Sequence, residues 1–162
     1  MKQEQTGINM TTAKVNSILA KAEDKCKESG VKLTTKRKLI LQQLVESKRL
    51  LSAYEIVDRM NKNSDNSMPA MSVYRILDFL ESSNLVHKLQ SQNKYVACRH
   101  IACNHSHQSA QFLICDNCDY VKEINLDHSV TKKVDELAES ERFKLKFSVM
   151  EFKGLCQNCQ EV

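Results

Sequence analysis

No stretch of this sequence approaches the roughly 20 consecutive apolar residues that a bilayer-spanning helix needs. The first ten residues, Met1 to Met10, are polar and lack the apolar core of a secretory leader. The expectation is a soluble, cytoplasmic protein with no membrane partner. Tryptophan is absent, and Pro69 is the only proline, so a single strong helix break stands in the first half of the chain. Neither a serine or cysteine nucleophile motif nor His-Glu-x-x-His occurs. That argues against an enzyme and against a small-molecule substrate. Cysteine is present, but in an odd number: with seven thiols, complete internal disulfide pairing is impossible.

Four of the seven fall in two pairs, Cys115-Asp116-Asn117-Cys118 and Cys156-Gln157-Asn158-Cys159. Two intervening residues let the chain turn back so that both sulfurs of a pair face one point. Two such turns supply the four thiolates of a tetrahedral zinc site with no open position, which makes the site structural and not catalytic. The length of 162 residues suits one domain or two small ones, and a small domain with a thin core gains from such a staple.

Charge is unevenly distributed. Up to Cys98 there are sixteen Lys and Arg against ten Asp and Glu, or +6, and beyond it eight against ten, or −2. A basic first half is suited to an anion such as nucleic acid, although a solvated surface has the same composition. This half reads as four helices and a hairpin. Val15, Ile18, Leu19, Ala22 and Cys26 recur at helical spacing over Thr11–Ser29, with Thr11 or Thr12 at the start and Gly30 at the end. Thr34 or Thr35 opens a second helix with Lys36, Arg37 and Lys38 in its first turn, where cations oppose the helix dipole. Ser52-Ala53-Tyr54-Glu55 is a capping box that opens a third. A fourth spans about Ser72 to Ser82, with Val73, Ile76, Leu77 and Leu80 inward and Tyr74, Arg75 and Asp78 off that stripe. Leu85–Leu89 and Lys94–Cys98 then form a β-hairpin.

Helices followed by a hairpin is the order of a winged helix, whose last helix enters the major groove. Arg75 is placed to hydrogen-bond a guanine edge. Tyr54 and Tyr74 are placed either for base or sugar contact or for core packing. Lys36, Arg37, Lys88 and Lys94 are candidates for phosphate contacts, which position a protein without reading sequence.

The second half reads as a small α/β module. Strands over Gln111–Ile114 and Tyr120–Ile124 flank the first cysteine pair. A helix over Asp127–Glu141 carries Val130, Val134, Leu137 and Ala138 on one face. Lys144–Phe152 alternates and then slips register, which predicts a strand with a bulge. About 50 residues bury little, and an exposed strand edge invites a second copy of the chain. The fold class expected is α+β: a winged-helix DNA-binding domain over residues 1–98, a hinge and metal-binding linker over 99–110, and a dimerisation domain with the four-cysteine structural zinc site over 111–162.

Several segments together resemble the ferric uptake regulator (Fur) family of bacterial metal-sensing repressors, and within it the zinc uptake regulator (Zur) branch. They are Leu33-Thr34-Thr35-Lys36-Arg37, Ser52-Ala53-Tyr54-Glu55, Ser72 to Leu80, Leu85-Val86-His87-Lys88, Phe112 to Cys118 and Gly154 to Cys159. The resemblance covers roughly Thr11 to Val162. It implies a zinc-dependent repressor that binds a palindromic double-stranded operator as a homodimer and controls zinc uptake genes. It also implies two Zn2+ per subunit, one structural and one regulatory. The regulatory ligands it assigns are His87, Cys98, His107 and Glu123, with His105 as the alternative to His107; His100 and Cys103 make either a further metal contact or none. One thiolate, two imidazoles and one carboxylate suit zinc better than ferrous iron or manganese. Iron, manganese or peroxide sensing in the same family, and a zinc-thiolate redox switch, are the competing expectations. Phe112 stands where other members carry a histidine, which removes the ligand on which a third site would be built. A regulatory site drawn from both halves implies that loading fixes the spacing of two otherwise swinging DNA-reading heads.

Overall fold

Val15, Leu19, Ala22 and Cys26 recur every three to four residues, and they are the buried positions of α1 (Thr12–Glu28) in the computed structural model. The structure describes residues 11–47, 49–62, 68–101, 110–146 and 149–160. Helix α1 closes where the Val31 amide donates to the Cys26 carbonyl at 2.9 Å and the Gly30 amide to that of Lys27 at 3.0 Å. Gly30 takes φ +72° there, a conformation that favours a residue without Cβ. Helix α2 (Thr35–Glu46) buries Ile40, Leu41, Leu44 and Val45. Neither Thr11 nor Thr34 caps its helix through its side chain.

Helix α3 (Ala53–Lys62) opens on the capping box. The Glu55 amide donates to Ser52 Oγ at 3.2 Å, and the Ser52 amide to Glu55 Oε2 at 2.7 Å. Burial pushes the Glu55 carboxyl up, but hydrogen bonds from Ser52, with Lys94 and Arg59 nearby, outweigh it and hold it below the usual carboxylate range. Helix α4 (Ala70–Ser82) starts directly after Pro69, two residues before the expected Ser72, and buries Val73, Leu77 and Leu80. Proline fits the N-cap because it has no amide to satisfy there and its φ is preset. Ile76, expected inward, is half-buried.

Strands β1 (Val86–Leu89) and β2 (Lys94–Ala97) pair antiparallel from Val86↔Ala97 to Leu89↔Lys94. Asn93 turns the hairpin with φ 51°. Leu51, between α2 and α3, exchanges backbone hydrogen bonds with Tyr95 at 3.1 and 2.8 Å, adding an isolated antiparallel bridge to β2. A first core joins α1 to α4 with Leu51, Leu85, Val86, Tyr95, Cys98 and Ile101.

The second half is built on β3 (Ala110–Cys115), flanked by β4 (Val121–Ile124) antiparallel and β5 (Val149–Gly154) parallel, in the order β4-β3-β5. Helix α5 (His128–Ser140) is capped by Asp127, whose Oδ1 accepts from the Ser129 amide at 2.8 Å. The bulged strand expected over Lys144–Phe152 takes a different form. Lys144–Lys146 lie outside any strand, Phe147 and Ser148 lie outside the described residues, and β5 pairs one-to-one from Ala110↔Val149 to Cys115↔Gly154 without a bulge. The slipped apolar pattern has another cause: Val149 packs against the second core, whereas Phe152 lies on the opposite face beside its register partner Leu113. Both faces of this strand carry apolar residues.

The second core crosses from one half of the chain to the other. Leu50 and Leu89 are fully buried against Ala110, Phe112 and Ile114, with Val96, Val121 and Val149 around them. Polar contacts follow the same seam. Glu151 accepts from the Gln90 and Ser91 amides of the wing turn at 2.7 and 3.2 Å. Lys94 meets Asp119 at 2.6 Å, and the Leu50 amide donates to the Asp119 carbonyl at 3.3 Å. Each fully buried Leu or Phe contributes about 1.5–3 kcal/mol, against about 0–1 kcal/mol for an exposed ion pair. The apolar seam therefore dominates the docking, and the polar contacts set its register. Glu151→Ala removes one acceptor of two amides. It is expected to cost about 1–2 kcal/mol, read as a lower melting temperature with the zinc content of the four-cysteine site unchanged.

Candidate metal centres and nucleic-acid interface

Strand β3 ends on Cys115, and the chain turns immediately. The Cys115 amide donates to the Tyr120 carbonyl at 2.9 Å and the Asp119 amide to the Cys115 carbonyl at 3.1 Å, with Asp119 at φ 58°. The Asp116 amide donates to the Gly154 carbonyl at 2.9 Å, which brings the end of β5 beside the first pair. The second pair sits on α6 (Gln157–Gln160), a single turn started by Cys156. The four sulfurs of Cys115, Cys118, Cys156 and Cys159 lie within 4.8 Å of one another. Cys118 Sγ and Cys156 Sγ are 3.7 Å apart, close to the roughly 3.8 Å edge of a tetrahedron with zinc–sulfur bonds of about 2.3 Å. The Cys156 amide points at Cys115 Sγ from 3.4 Å and helps draw that thiol down to about 6. Burial pushes the Cys118 thiol up to about 12. A thiol must give up its proton to ligate a metal, and the Cys156 amide favours the thiolate at Cys115.

A second cluster forms on the seam. His87 of β1, Cys98 just past β2 and Glu123 of β4 place their ligand atoms within 4.8 Å of one another. Cys98 is held by its own amide, which donates to the Leu85 carbonyl at 2.9 Å. Glu123 is the register partner of Phe112, so its carboxylate lies on the face that meets the wing. The Arg99 amide donates to Glu123 Oε2 at 2.9 Å. The other oxygen, Oε1, is 4.0 Å from His87 Nε2 and 3.6 Å from His100 Nε2. Phe112, fully buried, packs its ring 5.3 Å from that of His87. It fills the space behind the imidazole with hydrocarbon. The remaining expected ligand, His107, lies outside the described residues, as do His105 and Cys103. His100, read from the sequence as either a further metal contact or none, is a near neighbour of the cluster, with Nε2 3.6 Å from Glu123 Oε1.

The expected nucleic-acid contacts divide into exposed and engaged groups. Arg75 is exposed on α4 and Lys36 on α2. Tyr54 is 67% exposed and meets the half-buried Tyr74 edge-on, with ring centroids 6.4 Å apart. The aromatic pair thus presents one ring to solvent and seats the other against the core. Arg37 donates to the Lys32 carbonyl at 2.6 Å and stacks 3.4 Å from the Phe79 ring centre. Lys88 lies 5.8 Å over Tyr95, and Lys94 is drawn to Asp119. Local spacing cannot show these partners.

A model of the ferric uptake regulator family matches residues 28–153. The zinc uptake regulation protein of Escherichia coli (strain K12) is 37% identical over 153 residues, covering 94% of this chain and 87% of that protein. Among solved structures, a zinc uptake regulator complexed with zinc and DNA has a TM-score of 0.81 at 33% identity, covering 94% of this chain and 97% of that one. Holo XcZur has a TM-score of 0.77 at 33% identity, covering 91% of this chain and 99% of that one. The apo form of XcZur, also 33% identical and covering 90% and 97%, has a TM-score of 0.52.

Proposed function

Because this chain belongs to the ferric uptake regulator family, we propose that it is a zinc-responsive transcriptional repressor. It binds operator DNA as a zinc-loaded homodimer and controls zinc uptake genes in the cytoplasm. Two Zn2+ are assigned per subunit. Cys115, Cys118, Cys156 and Cys159 hold the structural ion. His87, Cys98 and Glu123, with His107 from the linker, hold the regulatory one. The observation that carries the reading is the second cluster: its donors come from both sides of the seam between the wing and the β4-β3-β5 sheet. The higher likeness to holo than to apo XcZur supports the same arrangement.

Bound zinc supplies a redox-inert tetrahedral tie among four side chains. His87 and Cys98 would hold it from the wing side and Glu123 from the sheet, so loading and wing docking would favour each other. The apolar seam already holds much of the docked form, so the ligands need only shift a population toward it. Cys98 provides the thiolate that favours zinc over ferrous iron or manganese.

Dimerisation is assigned to the second half. Among the described residues α5 buries none of its side chains. Leu137, Leu113 and Phe152 are 68%, 45% and 42% exposed, on α5 and on the outer face of the sheet. Strand β5 is an edge strand, and a second copy covers these groups. In the dimer, two α4 helices face successive major grooves of a palindrome. Arg75 reads a base edge, Tyr54 and Tyr74 meet sugar or base, and Lys36, Arg37 and Lys88 lie toward phosphate.

The test is a gel-shift titration of a palindromic operator at buffered free zinc, with iron and manganese as parallel arms. Zinc alone should raise affinity at physiological levels; equal responses to iron or manganese would return the protein to the other branches. Arg75→Ala should weaken specific binding by about 1–3 kcal/mol, about 5- to 160-fold in Kd, and flatten discrimination at one base pair of each half-site.

A further inference from the structure

Helix α4 turns one line of side chains outward. Met71, Arg75, Asp78 and Ser82 are exposed, opposite the buried Val73, Leu77 and Leu80. Spacings of three and four residues keep such a line on one face of a helix. Three of its members are polar, but Met71, which leads it, is apolar and 65% exposed. It is the second residue of α4, in a first turn that carries no acidic side chain. Tyr54 is likewise the second residue of α3 and is 67% exposed. Among the described residues before Cys98, the other large apolar side chains at the surface are Val31 and Leu39, only 39% and 41% exposed. A lone apolar side chain on a surface needs no explanation. These two belong to one surface, because Tyr54 meets the ring of Tyr74, which stands between Met71 and Arg75 on α4.

Resting on the reading of α4 as the groove-facing helix, we infer that Met71 is a second sequence-reading residue, which recognises the 5-methyl group of a thymine. That methyl group marks thymine at the major-groove edge, and apolar side chains read it by contact. A recognition helix reaches base edges with its N-terminal residues, where Met71 stands. Its unbranched thioether chain adapts its shape to a neighbour and is polarisable enough to gain from packing against it. No hydrogen bond is involved, so the contact depends on the methyl group and not on the O4 acceptor beside it. Four residues advance a helix by about 6 Å, and successive base pairs lie about 3.4 Å apart. The thymine is therefore one or two base pairs from the pair read by Arg75. Arg75 discriminates through hydrogen bonds and Met71 through hydrocarbon, whereas a phosphate contact from Lys36 carries no sequence information.

The experiment uses the full-length, zinc-loaded dimer and a palindromic duplex selected from random DNA by the wild type. Each thymine is replaced in turn by deoxyuridine, symmetrically in both half-sites, which removes the methyl group and keeps the O4 acceptor. Kd is measured for wild type, Met71→Ala and Met71→Leu, with thermal melts to verify the fold. One buried methyl group is worth about fourfold in Kd, or roughly 15-fold over two independent half-sites. The expected result is one thymine per half-site, within about two base pairs of the pair whose discrimination Arg75→Ala flattens. There deoxyuridine weakens wild type by about 15-fold, but Met71→Ala by less than about twofold, the usual error of additivity. Met71→Leu, still apolar, should keep most of the methyl response. Equal deoxyuridine effects in wild type and Met71→Ala at every thymine would overturn the inference, even if Met71→Ala bound more weakly overall. A selected duplex bound equally with and without zinc would remove the zinc-responsive reading and leave this comparison intact. A wild type that selects no duplex would remove both, before any variant is made.

Discussion

Cys115→Ser and Cys156→Ser are each expected to yield a chain that has lost its structural zinc, its dimer and the ordered β4-β3-β5 sheet. The two cysteines come together from distant parts of the sequence, with the Cys156 amide 3.4 Å from Cys115 Sγ. Closed thiolate zinc sites contribute about 10–16 kcal/mol in small peptides. Whole domains are stable by only about 5–15 kcal/mol. Loss of one ligand from four therefore removes more than the module can spare. Among the described residues, the part of the second half left without the staple buries little beyond Ala110, Gln111, Phe112, Ile114 and Cys115. The first core, made from α1 to α4 and the wing, has no ligand in the four-cysteine centre, so helical circular dichroism should largely persist. Metal content, size-exclusion and circular dichroism check this together. A zinc-free dimer with native melting behaviour would remove the structural role from these residues.

His87→Ala and Cys98→Ala should have the opposite signature. The dimer and its structural zinc should remain, while the response of operator affinity to zinc disappears. Coupling between sites is typically about 1–3 kcal/mol each, and a dimer has two such centres. The expected loss at saturating zinc is on the order of 100-fold in operator Kd. The variants should retain the residual affinity of the unloaded protein, because Leu50, Leu89 and Phe112 still form the apolar seam. Linkage works in both directions: operator DNA should tighten wild-type zinc binding by the same factor that zinc tightens DNA. Calorimetry of zinc binding with and without operator checks the reciprocal half. A zinc response surviving in both variants would move the regulatory site elsewhere in the chain.

The docked arrangement explains why these two experiments should separate so cleanly. The four-cysteine centre lies wholly within the second half, whereas His87, Cys98 and Glu123 span the seam. The same seam contains the Glu151 bonds to Gln90 and Ser91 and the Lys94–Asp119 pair. A sensor built this way is poised. Moving an equilibrium from 1:99 to 99:1 takes about 5.5 kcal/mol, near the top of what two centres coupled at about 1–3 kcal/mol each supply, so contacts that already favour docking in part lower the demand on them.

Much of the site was legible in the sequence, for reasons that are local. Two Cys-x-x-Cys turns are read from spacing alone, and the structure brings all four sulfurs together. The Ser52–Glu55 box and the inward positions of α1, α2 and α4 follow from the roughly 3.6-residue helical period and a short cap. His87, Cys98 and Glu123 were legible only through resemblance, since nothing in their neighbourhoods marks a ligand. Other features were decided by contacts between residues far apart in the chain. Lys94 meets Asp119 across 25 residues, and Gln90 meets Glu151 across 61. No periodic pattern records such pairs. Arg37 could be read as a phosphate candidate, but its contacts with Phe79 and the Lys32 carbonyl could not. The apparent bulge in β5 came from a strand with apolar residues on both faces, which alternation alone cannot distinguish from a slip. Helices, caps and the paired-cysteine turns could be read straight from the chain, because each depends on neighbours within a few residues. That the wing and the sheet share one apolar seam, and that His100 stands beside Glu123, emerged only on folding, because burial and side-chain pairing depend on where distant segments meet.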